Sequence, residues 1–309
     1  MRIVRHPATA PRDTALAIGS FDGVHRGHAA LIERVKSAAS ERGLGSAVLT
    51  FEPLPREFFA PASAPARLTS LHERLDAIAS LGIETAFVQR FDARFAGLGA
   101  EEFAARLRNR HGCRWVMVGA DFRYAARRSG NVASLAEAGV RMGFEVAVLP
   151  SIDAGGERIS STRIREALAR GDFAAAASLL GRPYAISGRV VHGAKRGRTI
   201  GFPTANVRLG RAKAALHGVF AVKCFGAATR GLEGVASLGI NPAVALRGPA
   251  TLEAFLFDFS GDLYGRRLTI EFVKKLRDEA HFASLDELAA QIGRDCDEAR
   301  KHFRASAKR

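Results

Sequence analysis

Short apolar runs alternate with longer amphipathic ones over the first 183 residues of the chain. "TALAIGSF" (14–21), "SAVLTF" (46–51), "ETAFVQRF" (84–91), "WVMVG" (115–119) and "EVAVLP" (145–150) read as strands. They are short, rich in β-branched or aromatic residues and bounded by Gly, Pro or polar clusters. Between them lie "HAALIERVKSAASERG" (28–43), "SLHERLDAIASLG" (70–82), "AEEFAARLRNRHG" (100–112) and "VASLAEAGVRMG" (132–143). Their apolar residues recur at three and four, the period of a half-buried helix, and Gly43 stands as the stop of the first. The stretch holding Pro53, Pro55, Pro61 and Pro65 reads as a loop. Strands and helices alternating at these lengths specify parallel βαβ units with right-handed crossovers. The expected fold is an open, Rossmann-like α/β sheet whose ligands sit at strand C-termini near the topological switch.

After "SLLGRPYAISG" the pattern changes. "ISGRVVHG" (186–193), "GVFAVKCFG" (218–226), "TLEAFLFDF" (251–259) and "RRLTIEFVKKL" (266–276) are strands joined by glycine-bearing turns, with no helix between them. This predicts an antiparallel β-barrel or sandwich. One helix, "SLDELAAQIGRDCDEARKHF" (284–303), closes the chain, opened by a Ser284/Glu287 capping box. Its Leu285, Leu288, Ala289, Ile292, Cys296, Ala299 and Phe303 form one apolar stripe. A length of 309 residues suits two domains, placed here at 1–182 and 183–309.

Composition adds little to this picture, since 47% hydrophobic and 25% charged residues are ordinary for a globular protein. Three cysteines, far apart and odd in number, suggest buried thiols in a reducing compartment. No leader-like segment opens the chain and no run of about 18 apolar residues occurs, so a cytoplasmic protein without a membrane partner is expected. Charge changes the picture more: the net charge is +15, and residues 189–213 hold seven basic residues and no acidic one. Such a field concentrates anions, either nucleic acid or phosphorylated small molecules. Nucleic acid would call for stacking aromatics among the basic strands, and that stretch offers only Phe202. Small phosphorylated substrates are therefore the expected partners, and nothing in the sequence sets an oligomeric state.

The candidate chemistry begins at "AIGSFDGVHRGHAALI" (17–32). A zinc site at His25 and His28 would need further ligands at workable spacing, and none accompanies the pair. A phosphate loop uses every residue instead. Gly23 and Gly27 let backbone approach an anion, the following helix points free N–H groups at it, and the two imidazoles add donors. "RISSTRIREAL" (158–168) offers a second clamp, with Ser160, Ser161 and Thr162 at a helix start and Arg165 one turn in. "GADFRYAARRSG" (119–130) follows a strand, which turns Asp121, Arg123 and Arg128 toward the same crevice. In the second half, "GRVVHGAK" (188–195) starts like a Walker loop but continues as a strand and is rejected. "GRTIGFPTAN" (197–206) places Thr204 and Asn206 as hard-oxygen ligands for Mg²⁺ and phosphate. Glu253 is an isolated acid in an apolar strand, facing either solvent or a site where it serves as a base.

Together, "FDGVHRGH", "TFEPLPREFF", "ISSTRIREAL", "GRTIGFPTANV", "DLYG" and "KKLRDEAHFASLDEL" resemble the bacterial bifunctional riboflavin kinase/FAD synthetase family, in order, from Ala17 to Phe303. The resemblance implies an N-terminal FMN adenylyltransferase and a C-terminal riboflavin kinase, with ATP as co-substrate, Mg²⁺ as cofactor, and riboflavin, FMN and FAD as ligands. It assigns Gly19, Phe21, Gly23, His25, His28, Arg158, Ser161, Thr162 and Arg165 to ATP in the transferase, with His25 and His28 catalytic. Asp121 and Arg123 fall on its flavin-side loop. Gly193, Lys195, Thr204 and Asn206 match the kinase's Mg²⁺–ATP positions, Glu253 its catalytic base and Arg277 a flap near nucleotide and flavin. The sequence departs from the family at Tyr124-Ala125, where alanine gives up a glycine's freedom at positive φ, and at Ser237, Asn241 and Ala243. The alternative is an adenylyltransferase for another phosphorylated acceptor, fused to a β domain that only binds.

Overall fold

The computed structural model describes residues 1–5, 12–150, 153–154, 157–193, 197, 200–240 and 250–306. Its first half runs β1 (Arg2–Val4), β2 (Thr14–Ile18), α1 (Arg26–Arg42), β3 (Gly45–Glu52), α2 (Pro55–Phe59), α3 (Leu71–Ser80), β4 (Thr85–Arg90), α4 (Ala93–Ala96), α5 (Ala100–His111), β5 (Cys113–Gly119), α6 (Val132–Met142) and β6 (Glu145–Leu149). These strands form one six-stranded sheet in the order β1-β4-β3-β2-β5-β6, parallel throughout. β2 is buried at all five positions, as a strand covered on both faces must be. Alternate residues serve opposite faces. Leu16 and Ile18 join Leu49, Phe87, Val116 and Val118 in a core with Phe103 and Leu107 of α5 and Leu135 of α6. α1 packs on β2 and β3 through Leu31, Ile32, Val35, Ala38 and Ala39. It stops at Gly43, φ 65° and ψ 25°, as its sequence predicts.

Two elements of this half escape the apolar pattern. β1 has only three residues, all at least partly exposed. In the proline stretch, Pro55 opens the short helix α2, a position where its missing N–H costs nothing. Glu57 then reaches back to accept the Leu54 N–H at 3.0 Å.

The second half continues with β7 (Asp153–Ala154), β8 (Glu157–Arg158), α7 (Ser161–Ala169), α8 (Phe173–Leu180), β9 (Ala185–Val191), β10 (Ala205–Val207), β11 (Gly218–Phe225), β12 (Leu232–Ile240), β13 (Ala250–Leu256), β14 (Arg267–Arg277) and α9 (Leu285–Ser306). β9 to β14 close into an antiparallel barrel in the order β10-β13-β12-β11-β14-β9. Phe220, Val222, Leu252, Ala254, Ile270 and Phe272 are among its buried residues. β10 and β12 were not expected: the first is three residues beside a proline, and the second, "LEGVASLGI", is interrupted by two glycines.

On the barrel, α9 packs Cys296, Ala299 and Phe303 against Val219, Ala221, Val235 and Phe257. The capping box forms, with the Glu287 N–H donating to Ser284 Oγ at 3.1 Å. The stripe does not run its full length as expected. Leu285 is 55% exposed, and Leu288, Ala289 and Ile292 are only half-buried, because the helix leans on the barrel mainly with its C-terminal turns.

The chain falls into two compact units, 1–65 with 74–160, and 66–73 with 161–309. The second therefore begins before residue 183 and includes an early segment, for a physical reason. Arg211, fully buried, donates to the Glu73 carboxylate and to Leu68 O at 2.7 Å. Tyr184 Oη donates to the same carbonyl at 3.2 Å, and Ser187 N–H to Glu73 Oε1 at 2.5 Å. All three cysteines are buried and unpaired. Among the described residues no helix is long and apolar enough to cross a membrane.

Candidate active sites

The chain leaves β2, builds β3 and β4 on one side, then returns to place β5 on the other side of β2. That reversal is the topological switch, where the carboxyl ends of neighbouring strands part and a crevice opens. The loop 19–28 occupies it. His25 caps α1, and its Nδ1 accepts the His28 N–H at 3.3 Å. The two imidazoles stack, centroids 3.7 Å apart and planes 13° from parallel. His28 Nδ1 is buried with no hydrogen-bond partner. Its imidazole is held well below the ordinary histidine pKa, first by burial, then by His25 and Arg74. The His28 imidazole is thus held toward its neutral form in the free protein, and the pair stands at the positive end of a helix dipole.

Positive φ and close packing favour glycine in this loop. Gly23 sits at φ 86°. A Cβ on Gly27 would lie 3.2 Å from the His25 ring. Gly19 carries the ring of Phe21 close above it, where an added Cβ would sit 3.3 Å from Phe21 Cε2. Among the described residues no cluster of three or more His, Cys, Asp or Glu could hold a metal ion.

Asp121, two residues beyond β5, accepts both Nη atoms of Arg158 at 3.1 and 3.2 Å. The sequence assigns this pair to the flavin and nucleotide sides separately; the structure joins them. The Arg158 hydrogen bonds hold the Asp121 carboxyl below the usual carboxylate range. Ser161 and Thr162 open α7, and Arg165 follows one turn in, its Nε donating to Ala66 O at 2.6 Å. They belong to the second compact unit, whereas His25, His28, Asp121 and Arg158 belong to the first.

Residues 51–128 build an aromatic cleft of about 650 Å³ that sequence reasoning missed. Phe51, Phe59, Phe91, Phe95 and Phe122 line it, with Arg56, Arg123, Arg127 and Arg128 also on its walls. The rings pack edge to face, Phe51 and Phe91 at 5.8 Å and 89°. The only signal in the sequence is the high count of 20 phenylalanines. One wall is strained: Ala125, Arg127 and Arg128 all take positive φ, at 65°, 53° and 59°.

In the barrel, β13 alternates buried and half-buried residues, so Glu253 points outward beside Thr251 and Phe255. Asn206 lies directly opposite it on β10, and Ser237 opposite on β12. Thr204 Oγ1 donates to Glu253 Oε2 at 3.2 Å. An added Cβ on Gly193 would run into the Asn206 amide, so glycine is what lets that segment pass. Thr204 and Pro203 also border a cleft of about 590 Å³ with Phe259, Asp262 and Tyr264. Lys195 lies outside the described residues, as do Asn241 and Ala243. Arg277, assigned by resemblance to a flap near nucleotide and flavin, ends β14. Its Nε and Nη2 donate to buried Asp295 at 2.9 and 2.8 Å, which fastens it to α9.

An FAD synthetase family model matches residues 8–163, and a riboflavin kinase family model matches residues 180–303. The chain belongs to the bifunctional riboflavin kinase/FMN adenylyltransferase family. It is 47% identical to the bifunctional riboflavin kinase/FMN adenylyltransferase of Escherichia coli (strain K12), covering 98% of this chain and 97% of that protein. Identity to the Pseudomonas fluorescens protein of the same name is 44%, over 96% of each. A solved structure described as a macrolide-efflux protein from Streptococcus pneumoniae superposes with a TM-score of 0.77 at 30% identity, covering 96% of this chain and 97% of that one. In this chain the first match spans most of the parallel sheet, and the second spans the closed barrel and most of the terminal helix.

Proposed function

We propose that the chain makes flavin cofactors in two steps, riboflavin to FMN in its barrel half and FMN to FAD in its sheet half, each at the expense of ATP. The observation that carries the reading is the stacked imidazole pair at the N-terminus of α1, with His28 Nδ1 buried and unsatisfied. A buried polar atom without a partner is costly, and an anion in the crevice is what such a loop awaits. In the transferase, an FMN phosphate oxygen attacks the α-phosphorus of ATP and pyrophosphate leaves. His25, His28 and the α1 amides hold the nucleotide phosphates and meet the charge that grows on them, an effect of about 2.7–4 kcal/mol for one well-placed donor. The aromatic cleft accepts the isoalloxazine rings, and Arg123 and its neighbours receive the FMN phosphate. Arg158, Ser161, Thr162 and Arg165 are further nucleotide ligands by family resemblance.

In the kinase, Glu253 takes the proton from the ribityl 5′-hydroxyl as that oxygen attacks the γ-phosphorus and ADP leaves. Thr204 holds the carboxylate by its hydroxyl. Thr204 and Asn206 supply neutral oxygens beside one carboxylate, a donor set that fits Mg²⁺, which keeps much of its water and takes few protein ligands. When bound there, Mg²⁺ would neutralise charge on the β- and γ-phosphates. The catalytic boundary is placed at 182/183, just inside the start of the riboflavin kinase match at 180, and the protein in the cytoplasm.

The test is to supply full-length protein with riboflavin, ATP and Mg²⁺ and resolve flavins by chromatography. FMN followed by FAD is expected. FAD from supplied FMN with inert riboflavin would instead favour a transferase fused to a passive barrel. His28→Ala should abolish FAD formation and spare FMN formation; Glu253→Ala should do the reverse. Loss of both activities in either folded variant overturns the division of labour.

A further inference from the structure

Behind the imidazole pair lies a buried cation that the motifs do not use. Arg74, in α3, has a side chain only 1% exposed. Its guanidinium donates to Ser20 O at 2.7 Å, to Phe51 O at 3.0 Å and to Glu52 Oε2 at 3.0 Å. Ser20 lies just past β2, while Phe51 and Glu52 end β3, its parallel neighbour. One planar fork therefore ties together the carboxyl ends of the two strands beneath the phosphate loop. Burying an arginine is expensive unless its donors are paired, so its placement on turn carbonyls calls for a reason.

The turn itself gives one. Phe21 and Val24 both hold positive φ, 50° and 42°. Val24 is β-branched, for which this conformation is a true outlier. Such residues persist where the surroundings over-determine them. The Phe21 ring in turn sits 5.2 Å from that of His28, linking the strained turn to the imidazole.

We infer that Arg74 is a positioning residue for adenylyl transfer, clamping the Ser20–Val24 turn and, through Phe21, seating His28 beside the nucleotide phosphates. The inference rests on the adenylyl-transfer reading of that loop. Arg74 also acts at a distance on His28: together with burial and His25 it keeps the imidazole neutral. Those two, His25 and Arg74, are the charged or titratable groups that bear on it.

Two variants of the full chain separate the contributions. Arg74→Met removes both fork and charge, and Arg74→Lys keeps the charge alone. Riboflavin phosphorylation by the same preparation is the internal control. Arg74→Met is expected to lower kcat for FAD formation about 100-fold, the scale of a small misplacement of reacting groups, and to leave FMN formation within about twofold. Arg74→Lys is expected to lose about tenfold. In protein labelled at histidine nitrogen, the His28 titration should move to higher pH in Arg74→Met and hold still in Arg74→Lys. A merely structural strut would lower stability and leave that titration in place, which overturns the inference. If Arg74→Met does not fold, wild-type kcat in Arg74→Lys overturns it alone. Should His28→Ala keep full FAD formation, the transferase reading of the loop falls and the inference with it. Should His28→Ala be inactive while both Arg74 variants match wild type, only the role of Arg74 falls.

Discussion

Replacing Ala125 with glycine tests what the departure from the family's Asp-Phe-Arg-Phe-Gly loop costs this chain. Ala125 sits at φ 65° and ψ 177°, a region reserved almost wholly for glycine, where another residue costs about 1–3 kcal/mol. Glycine removes that strain but loosens the unfolded chain, returning about 0.4–1 kcal/mol. The lost methyl, partly buried against the sheet core, returns roughly a further 0.4 kcal/mol, half the value of a buried carbon. The balance is a stabilisation of about 1 kcal/mol. Trp115, the sole tryptophan, is 7% exposed in β5, so its fluorescence in a urea titration of the full chain reports the sheet half by itself. With a slope of about 1–3 kcal/mol per molar urea, the midpoint should rise by roughly 0.3–1 M. Ala126→Gly, next door and without a positive φ, should lower it. An unmoved or lower midpoint for Ala125→Gly refutes the strain argument.

Two further outcomes follow from single groups. His111 is buried, stacked on Phe87 with ring centroids 4.8 Å apart, and leaves its Nδ1 unpartnered; burial lowers its pKa from 6.5 to about 4. The unfolded chain therefore binds the proton first, and stability should fall with pH from about 7 toward 4, by about 1 kcal/mol at pH 5.5 and about 3 kcal/mol in all. His111→Phe should flatten that slope in Trp115-monitored unfolding, and an unchanged slope would assign it to other groups. Gly193→Ala should drive a methyl into the Asn206 amide and cut riboflavin phosphorylation about 100-fold while FAD formation from FMN stays intact; equal losses in both would place Asn206 outside the kinase site.

The sheet half was legible because its strands are apolar on both faces and its helices carry one strong period, as in β2 and α1. What escaped was short or glycine-broken. β1 and β10 have three residues each, too few for alternation to register, and β12 hides behind Gly234 and Gly239. The histidine loop could be read because the chain itself places it between strand and helix. The aromatic cleft could not, since Phe51, Phe91 and Phe122 are separated by 40 and 31 residues in sequence and meet only when the carboxyl ends of β3, β4 and β5 come to one edge of the sheet. Arg74 was invisible for a related reason: on a helical wheel it is one more charge in an amphipathic segment, and only tertiary pairing with Ser20 and Phe51 shows it buried.

The two sites also depend on sequence in different ways. The proposed transferase loop would work largely through backbone, with helix amides and glycines at fixed places, so that conformation sets its tolerance. The proposed kinase site is a row of side chains on the outer face of three adjacent strands, Asn206 beside Glu253 beside Ser237. Opposed residues in such a ladder hold their Cβ atoms about 4.5–5.5 Å apart, so each neighbour's length decides what Glu253 meets. With serine where the family often has an amide, the β12 neighbour stops short of the carboxylate. Thr204, at 3.2 Å, is then left as the side chain that orients it. Thr204→Val should therefore cost riboflavin phosphorylation more than Ser237→Ala, and the reverse order would mean that β12, not the proline loop, sets the base.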